Sequence, residues 1–394
     1  MAGDEGVRLS VPQQPVGWIE LFYDLVFVAA VITFSDAVGF DSGLPSIGSV
    51  AAAFTALWLV WLATTLHANR YRDDGAIQRV LVLAQMLLLT VNALAVGDGF
   101  DAHPGLLSVT YALLAVDVAI MYARSVHGSD EEVRLARIRR NQYFAAAVPI
   151  VVGALAPEPV RIGLWVIGVF LLAWPTLGFR AGRLGTVPPF DEHHFLERFG
   201  LMTIIVCGES FVKVALLAAD GSLDGIDITV LVTMFVFVFA IWWSYFDDVP
   251  HAGVRDGAGS TAVWLVGHLL LQLSLAGVAV GYAKLLSYEL GATLGGDKSL
   301  LVTMPLVGIL VALAMIGPCS RRVPQRALVA WRLGVALATT ALAIVIWRVQ
   351  WISAEGAAIV LTLIALVYAG VASRILLRTR VVGDVVRPVG PARH

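Results

Sequence analysis

The sequence predicts an all-α fold, a polytopic bundle of about twelve helices crossing a membrane. Three observations lead there. Of the 394 residues, 58% are hydrophobic and 14% charged, and the mean hydropathy is +0.82. A soluble domain averages about 45–50% apolar and about 25% charged, so a soluble core does not absorb this excess. Apolar windows of about 20 residues, long enough to cross hydrocarbon at ~1.5 Å per residue, recur along the whole chain. The basic residues, finally, segregate to one side of those windows, as the positive-inside rule requires of a correct topology.

The windows fall at 18–38, 47–67, 77–97, 105–124, 141–157, 160–179, 197–218, 227–246, 261–285, 299–317, 327–347 and 353–375. The polar start, "MAGDEGVRLSVPQQPVGW", lacks a basic region followed by a clean apolar stretch and a small-residue cleavage site. No cleaved signal peptide is expected, and the first window stays in the protein. Trp18 and Tyr23 suit an interfacial aromatic belt, and His67, beside "ANRYR", reads as interfacial too. The fifth window is the weakest: it is short, contains Pro149 and runs into "APEPVR". Without it the count is eleven. Pro149, Pro175 and Pro305 are expected to kink their helices. Gly277 and Gly281 form a small-xxx-small pair suited to close helix packing. Two cysteines, Cys207 and Cys319, supply neither a disulfide framework nor a zinc-type spacing.

With the N-terminus inside, the charge pattern becomes one-sided. Of the 27 Lys and Arg residues, Arg161, Lys298 and Arg348 fall in outside loops, and Lys213, Lys284 and Arg332 fall within windows. All others lie on the inside, which predicts cytoplasmic termini. A weak internal echo is also present. "ELFYDLVFVAAVI" resembles "ERFGLMTIIVCGE", and "AQMLLLTVNALAVG" resembles "GHLLLQLSLAGVAVG". This predicts a parallel 6+6 repeat, with two apolar segments looking alike by chance as the bland explanation. The expected divisions are a cytoplasmic segment 1–17, a first membrane repeat 18–179, a linker 180–196, a second repeat 197–375 and a basic, disordered tail 376–394.

The polar residues inside the windows carry the functional question. Glu20 and Asp24 are four apart and share a helix face, with Asp24 roughly 10 Å in. An acid at depth costs about 2.5–3.5 kcal/mol, so it is expected to face inward and find a partner. In the seventh window His194 and Glu197 are adjacent at i, i+3, with His193 and Glu197 at i, i+4. Glu209 lies ~18 Å beyond Glu197, near the midplane, where Lys213 one turn on is its bland partner. Asp117 and His268 are deep secondary candidates; one histidine is readily satisfied by hydroxyl or backbone groups. Asp247, Asp248 and His251 end the eighth window where Arg198 can find a partner. Two explanations stand: a buried ion-pair network that fixes helix register, or a proton or cation relay in a carrier.

Other chemistries find less support. Asp191, Glu192, His193, His194 and Glu197 make a dense local ligand set, with His193, His194 and Glu197 the weak metal candidates. Di-metal bundles use Glu-x-x-His on facing helices, whereas this chain has a single His-x-x-Glu. No hydrolase serine motif, His-Glu-x-x-His or phosphate loop occurs, so no catalytic residue and no cofactor is assigned. Cytoplasmic basic loops explain the positive charge without nucleic acid. The partners expected are the lipid bilayer and a small solute or ion; nothing in the sequence sets an oligomeric state.

"GWIELFYDLVFVAAV", "HFLERFGLMTIIVCGES" and "WWSYFDD" together resemble the bacterial low temperature requirement A (LtrA) family, over residues about 15–375. The resemblance implies a polytopic protein of the bacterial inner membrane and brings no assigned activity. The residues matching its pattern are Glu20, Phe22, Asp24, Phe27, His194, Glu197, Arg198, Gly200, Gly208, Glu209 and Asp247. Lys213, Cys207 and Asp36 are less typical of it. The functional expectation is a proton- or ion-coupled secondary transporter of a small solute. The alternatives are a non-transporting membrane protein linked to low-temperature or stress tolerance, and a metal-dependent membrane enzyme.

Overall fold

A computed structural model of the protein describes residues 16–36, 44–71, 73–99, 102–177, 191–220, 227–255, 257–321 and 326–386. Among these residues there is no β-strand, and twelve α-helices account for nearly everything. They are α1 (Trp18–Asp36), α2 (Leu44–Tyr71), α3 (Ala76–Gly97), α4 (Pro104–Arg124), α5 (Asp130–Val152) and α6 (Val160–Thr176), then α7 (Glu192–Asp220), α8 (Ile228–Asp248), α9 (Ala258–Leu286), α10 (Asp297–Ile316), α11 (Arg326–Val349) and α12 (Ala354–Val386). Each expected window overlaps one of them. The protein is an α-helical membrane bundle.

Local chemistry sets several boundaries. Pro104 opens α4 at a position where its missing N–H costs nothing. Asp227 caps α8, accepting from Thr229 N at 2.7 Å. The fifth helix differs most from expectation, because it starts eleven residues before 141, at Asp130. Ser129 and Glu132 form a capping box there: Ser129 N donates to Glu132 Oε2 at 2.7 Å, and Glu132 N donates to the Ser129 hydroxyl at 3.3 Å. The helix therefore has a polar first half, and only its second half is apolar. At the other end of the chain α12 continues through 376–386, where the sequence reading predicts a disordered tail. The expectations for residues 1–15, 178–190 and 387–394 lie outside the described residues.

Among the described residues, nine helices are long and apolar enough to cross a membrane: α2, α3, α4 and α7 to α12. The other three are shorter or more polar. α1 carries Glu20, Asp24 and Asp36 in 19 residues, α5 is half polar, and the apolar stretch Val160–Trp174 of α6 is short. Leu83, Leu87, Phe170, Phe239, Leu337 and Leu363 stand exposed on the outer faces of the bundle. In water such a belt would drive aggregation; against hydrocarbon it is the expected surface.

Neighbours recur in the same order in both halves. α1 packs on α3, α3 on α4, α4 on α5 and α2 on α6; α7 packs on α9, α9 on α10, α10 on α11 and α8 on α12. The halves meet where α1 and α2 face α7 and α9. Gly277 and Gly281 give α9 its close approach to α10. A Cβ on Gly281 would lie 3.2 Å from Val302 Cα, and one on Gly277 would lie 3.1 Å from Pro305 Cγ. Gly281→Val is therefore expected to push α9 off α10 and lower stability by about 1–3 kcal/mol. A thermal melt of the detergent-purified variant checks this, and an unchanged midpoint would show that the contact yields freely. Cys207 and Cys319 are both free and buried.

Candidate functional site

α1 turns Glu20, Tyr23, Asp24 and Phe27 inward, the i, i+3, i+4, i+7 face of a helix. α7 answers with His194 and Arg198, one turn apart. Arg198 is the hub. Its Nη2 donates to Asp24 Oδ1 at 2.8 Å and to the Thr65 hydroxyl of α2 at 3.2 Å. Its Nη1 lies 3.2 Å from Glu20 Oε1. Trp61, one turn before Thr65 on α2, donates its indole N–H to the same Asp24 oxygen at 2.7 Å. The guanidinium also sits 5.9 Å from the Trp61 ring. Arg198 and Asp24 are sealed from solvent, at 1% and 0% exposure, and each buried charge has an opposite partner. Three helices from both halves thus converge on one guanidinium.

His194 extends the cluster outward. Asn69 of α2 donates to the Asp191 carbonyl at 2.8 Å and lies 3.2 Å from His194 Nδ1. With Asn69 as donor, Nδ1 accepts and the ring proton sits on Nε2, which lies 3.0 Å from Glu20 Oε2. That oxygen also accepts from Gly17 N at 2.8 Å. With Glu20 and Asp24 ionised and His194 neutral, the cluster carries one net negative charge. A single proton or monovalent cation brings it to neutrality. Asp24 Oδ2 and Arg198 Nε make no hydrogen bond among the described residues, so polar capacity remains at the centre.

A cavity of about 120 Å³ reaches the cluster, with Glu20, Tyr23, His194 and Arg198 on one wall. Asp73, Asp74 and Gln78 line it as well. This is room for a few waters or a small solute. The other side of the cluster is filled with rings: Trp61 and Phe199 at 5.1 Å, Phe195 and Phe199 at 4.7 Å, Phe199 and Trp264 at 4.8 Å.

The remaining candidates lie elsewhere. Glu197 has no ion pair with the cluster among the described residues and sits 4.0 Å from His193, whose side chain is 58% exposed. Asp247 accepts from the Trp243 indole at 2.8 Å and the Ser373 hydroxyl at 2.9 Å; Arg198 takes its acidic partners from α1 instead. His268 is satisfied by its neighbours: Nδ1 lies 3.0 Å from the Trp264 carbonyl, and Nε2 lies 3.1 Å from the Tyr245 hydroxyl. Asp117 accepts from Gln85 at 2.6 Å, and Gln85 in turn accepts from Thr64 at 2.9 Å. Glu209 and Lys213 are both buried on α7. His193 and His194 point in different directions, and among the described residues no three His, Cys, Asp or Glu side chains gather as a metal set.

Sequence reasoning missed a second buried pair. Arg332 of α11 donates to Asp248 Oδ2 at 2.8 Å, the Leu313 carbonyl at 2.9 Å and the Tyr368 hydroxyl at 3.1 Å. The signal was available, because an arginine deep in an apolar window demands an acid. For Trp61, Thr65 and Asn69 no signal existed; "LWLVWLATTLHAN" reads as ordinary core.

Residues 15–369, which include both charged helices of the cluster, match the family model described as Bacterial low temperature requirement A protein (LtrA). The chain belongs to the LtrA family. It is also 25% identical, over 308 residues, to the uncharacterized protein RA0937 of Rhizobium meliloti (strain 1021). That alignment covers 73% of this chain and 75% of the relative. LtrA membership and the apolar helices make this a bacterial integral membrane protein. The LtrA match contains Glu20, Asp24, His194 and Arg198, so the cluster lies inside the region that defines the family assignment.

Proposed function

We propose that the protein is a proton- or cation-coupled secondary carrier of a small solute, with Glu20, Asp24, His194 and Arg198 as its coupling site. The single observation that carries this reading is the 120 Å³ cavity that ends on the cluster. A purely structural ion pair needs no such access. The cavity wall is acidic, with Glu20, Asp73 and Asp74, which favours a cation over an anion. The Glu20–His194 pair is the proton-exchanging element, and Arg198 anchors the two acids. In this reading α1 to α6 and α7 to α12 are two six-helix repeats in the same orientation, spanning twelve times, with both termini cytoplasmic and the site between them. The repeated order of helix neighbours supports the duplication.

The second reading is a non-transporting membrane factor tied to low temperature or stress, in which the cluster only fixes helix register. It is favoured by the way Arg198 ties α1, α2 and α7 together.

Solute-dependent current in proteoliposomes under an imposed pH gradient decides between them. Glu20→Gln is expected to reduce that current about 100-fold, the low end for losing a positioned proton-transfer group. Glu197→Gln, away from the cluster, is expected to leave it unchanged. If Glu20→Gln transports like the parent, the coupling site is misassigned. Absence of current for any of ions, amines and amino acids, together with a lower melting temperature for Glu20→Gln, would favour the register role.

A further inference from the structure

A second, larger cavity of about 560 Å³ lies between α2, α4 and α6 and shares no lining residue with the cavity at the charged cluster. It falls within the ~300–1,000 Å³ typical of small-molecule sites. Its shape follows from side-chain size. Ala52, Ala53 and Ala56 form a shallow face on α2, and Tyr111 and Trp165 supply the walls. Trp165 is held in place because its indole donates to the Ser108 hydroxyl of α4 at 2.9 Å. On α6, Val166 and Phe170 line the cavity and are more than half exposed on the outer surface of the bundle, so the cavity opens toward lipid.

One end of this apolar cavity is charged. Glu158 and Arg161, three residues apart at the start of α6, both line it. Among the described residues they form no ion pair with each other or with any other side chain. Arg161 Nε and Nη2 donate to the Ala156 carbonyl at 3.2 and 3.1 Å, which fixes the guanidinium and leaves Nη1 available. The Glu158 carboxylate is exposed. A separate anion and cation at the mouth of an apolar cavity match a molecule with the reverse arrangement. We propose that this is a binding site for a zwitterionic phospholipid: an acyl chain fills the cavity, the phosphate meets Arg161 and the headgroup ammonium meets Glu158. An anionic headgroup without an ammonium leaves Glu158 without a counter-charge, so the site discriminates by charge as well as by shape.

The test is native mass spectrometry and thermal melting of the full-length, detergent-purified protein. The probes are phosphatidylethanolamine and phosphatidylglycerol with identical acyl chains. One phosphatidylethanolamine per chain is expected to be retained about two- to fivefold better than phosphatidylglycerol, the ratio an exposed ion pair supports, and to raise the melting temperature. Glu158→Lys, an exposed change that leaves the core alone, is expected to reverse the preference. Ala56→Phe, which fills the cavity, is expected to abolish the retained lipid and its thermal shift. Equal retention of both lipids by the parent overturns the proposal. So does an unchanged order in Glu158→Lys, or undiminished binding in a folded Ala56→Phe. Should Ala56→Phe fail to fold, the Glu158→Lys result alone decides. None of these outcomes depends on transport.

Discussion

Arg198→Met is expected to destabilise the protein by about 3–5 kcal/mol, the cost of stranding one partner of a buried ion pair. The loss is larger than the missing contacts suggest, because Asp24 is wholly enclosed and stays behind with the Trp61 indole as its hydrogen-bond donor. Thr65 loses its charged partner in the same step. Combining Arg198→Met with Asp24→Leu is expected to recover part of the loss, since no isolated charge then remains in the interior. Thermal unfolding of detergent-purified parent, single and double variants measures all of this. An Arg198→Met protein as stable as the parent would mean that the buried charges relax elsewhere, and the site as described would be wrong.

A comparable loss, again about 3–5 kcal/mol, is expected for Arg332→Met. Here one guanidinium ties α11 to Asp248 of α8, the Leu313 carbonyl of α10 and the Tyr368 hydroxyl of α12. Asp248→Leu alone is expected to cost about as much, and the double variant less than the sum of the two. Additive losses in a double-mutant cycle would show that the two residues do not act as a unit. The Arg332 variants are also expected to keep whatever ion dependence the parent shows, per folded molecule. Neither residue lines the 120 Å³ cavity. The two arginines would thus separate stability from coupling, one carrying both and the other stability alone.

The fold was legible because lipid imposes a simple rule: each span must be apolar for a fixed length, and among the described residues nine helices obey it. Among the helices that fall short is α5, whose first half was readable from "SDEEVRLARIRRNQ" by its capping box and not by its hydropathy. Half of the site was legible for a similar reason. Glu20, Asp24, His194 and Arg198 are expensive in hydrocarbon, so their presence announces partners. Which partners is a question of helix phase across the bundle, and that needs tertiary structure. Asp247 and Asp248 show the difficulty: adjacent in sequence, they point about 100° apart on α8. Asp248 meets Arg332, while Asp247 meets Trp243 and Ser373 on the outer side. The contributions of Trp61, Thr65 and Asn69 were invisible because polar tips on a largely apolar helix carry no mark until a neighbour is placed against them.

The aromatic packing behind the cluster has an optical consequence. Of the protein's 11 tryptophans, Trp61 shares its indole hydrogen with Asp24, and Trp58, 6.0 Å from it, donates to Gln272 of α9 at 2.5 Å. Both are fully enclosed, whereas Trp18 and Trp351 are exposed. Indole emission depends on the local field and on what its N–H is bonded to. Asp24 is therefore wired to a native fluorophore, and a second fluorophore spans the seam between the two halves. Light emitted from beside the cluster can report on Asp24 and its surroundings, with no label added.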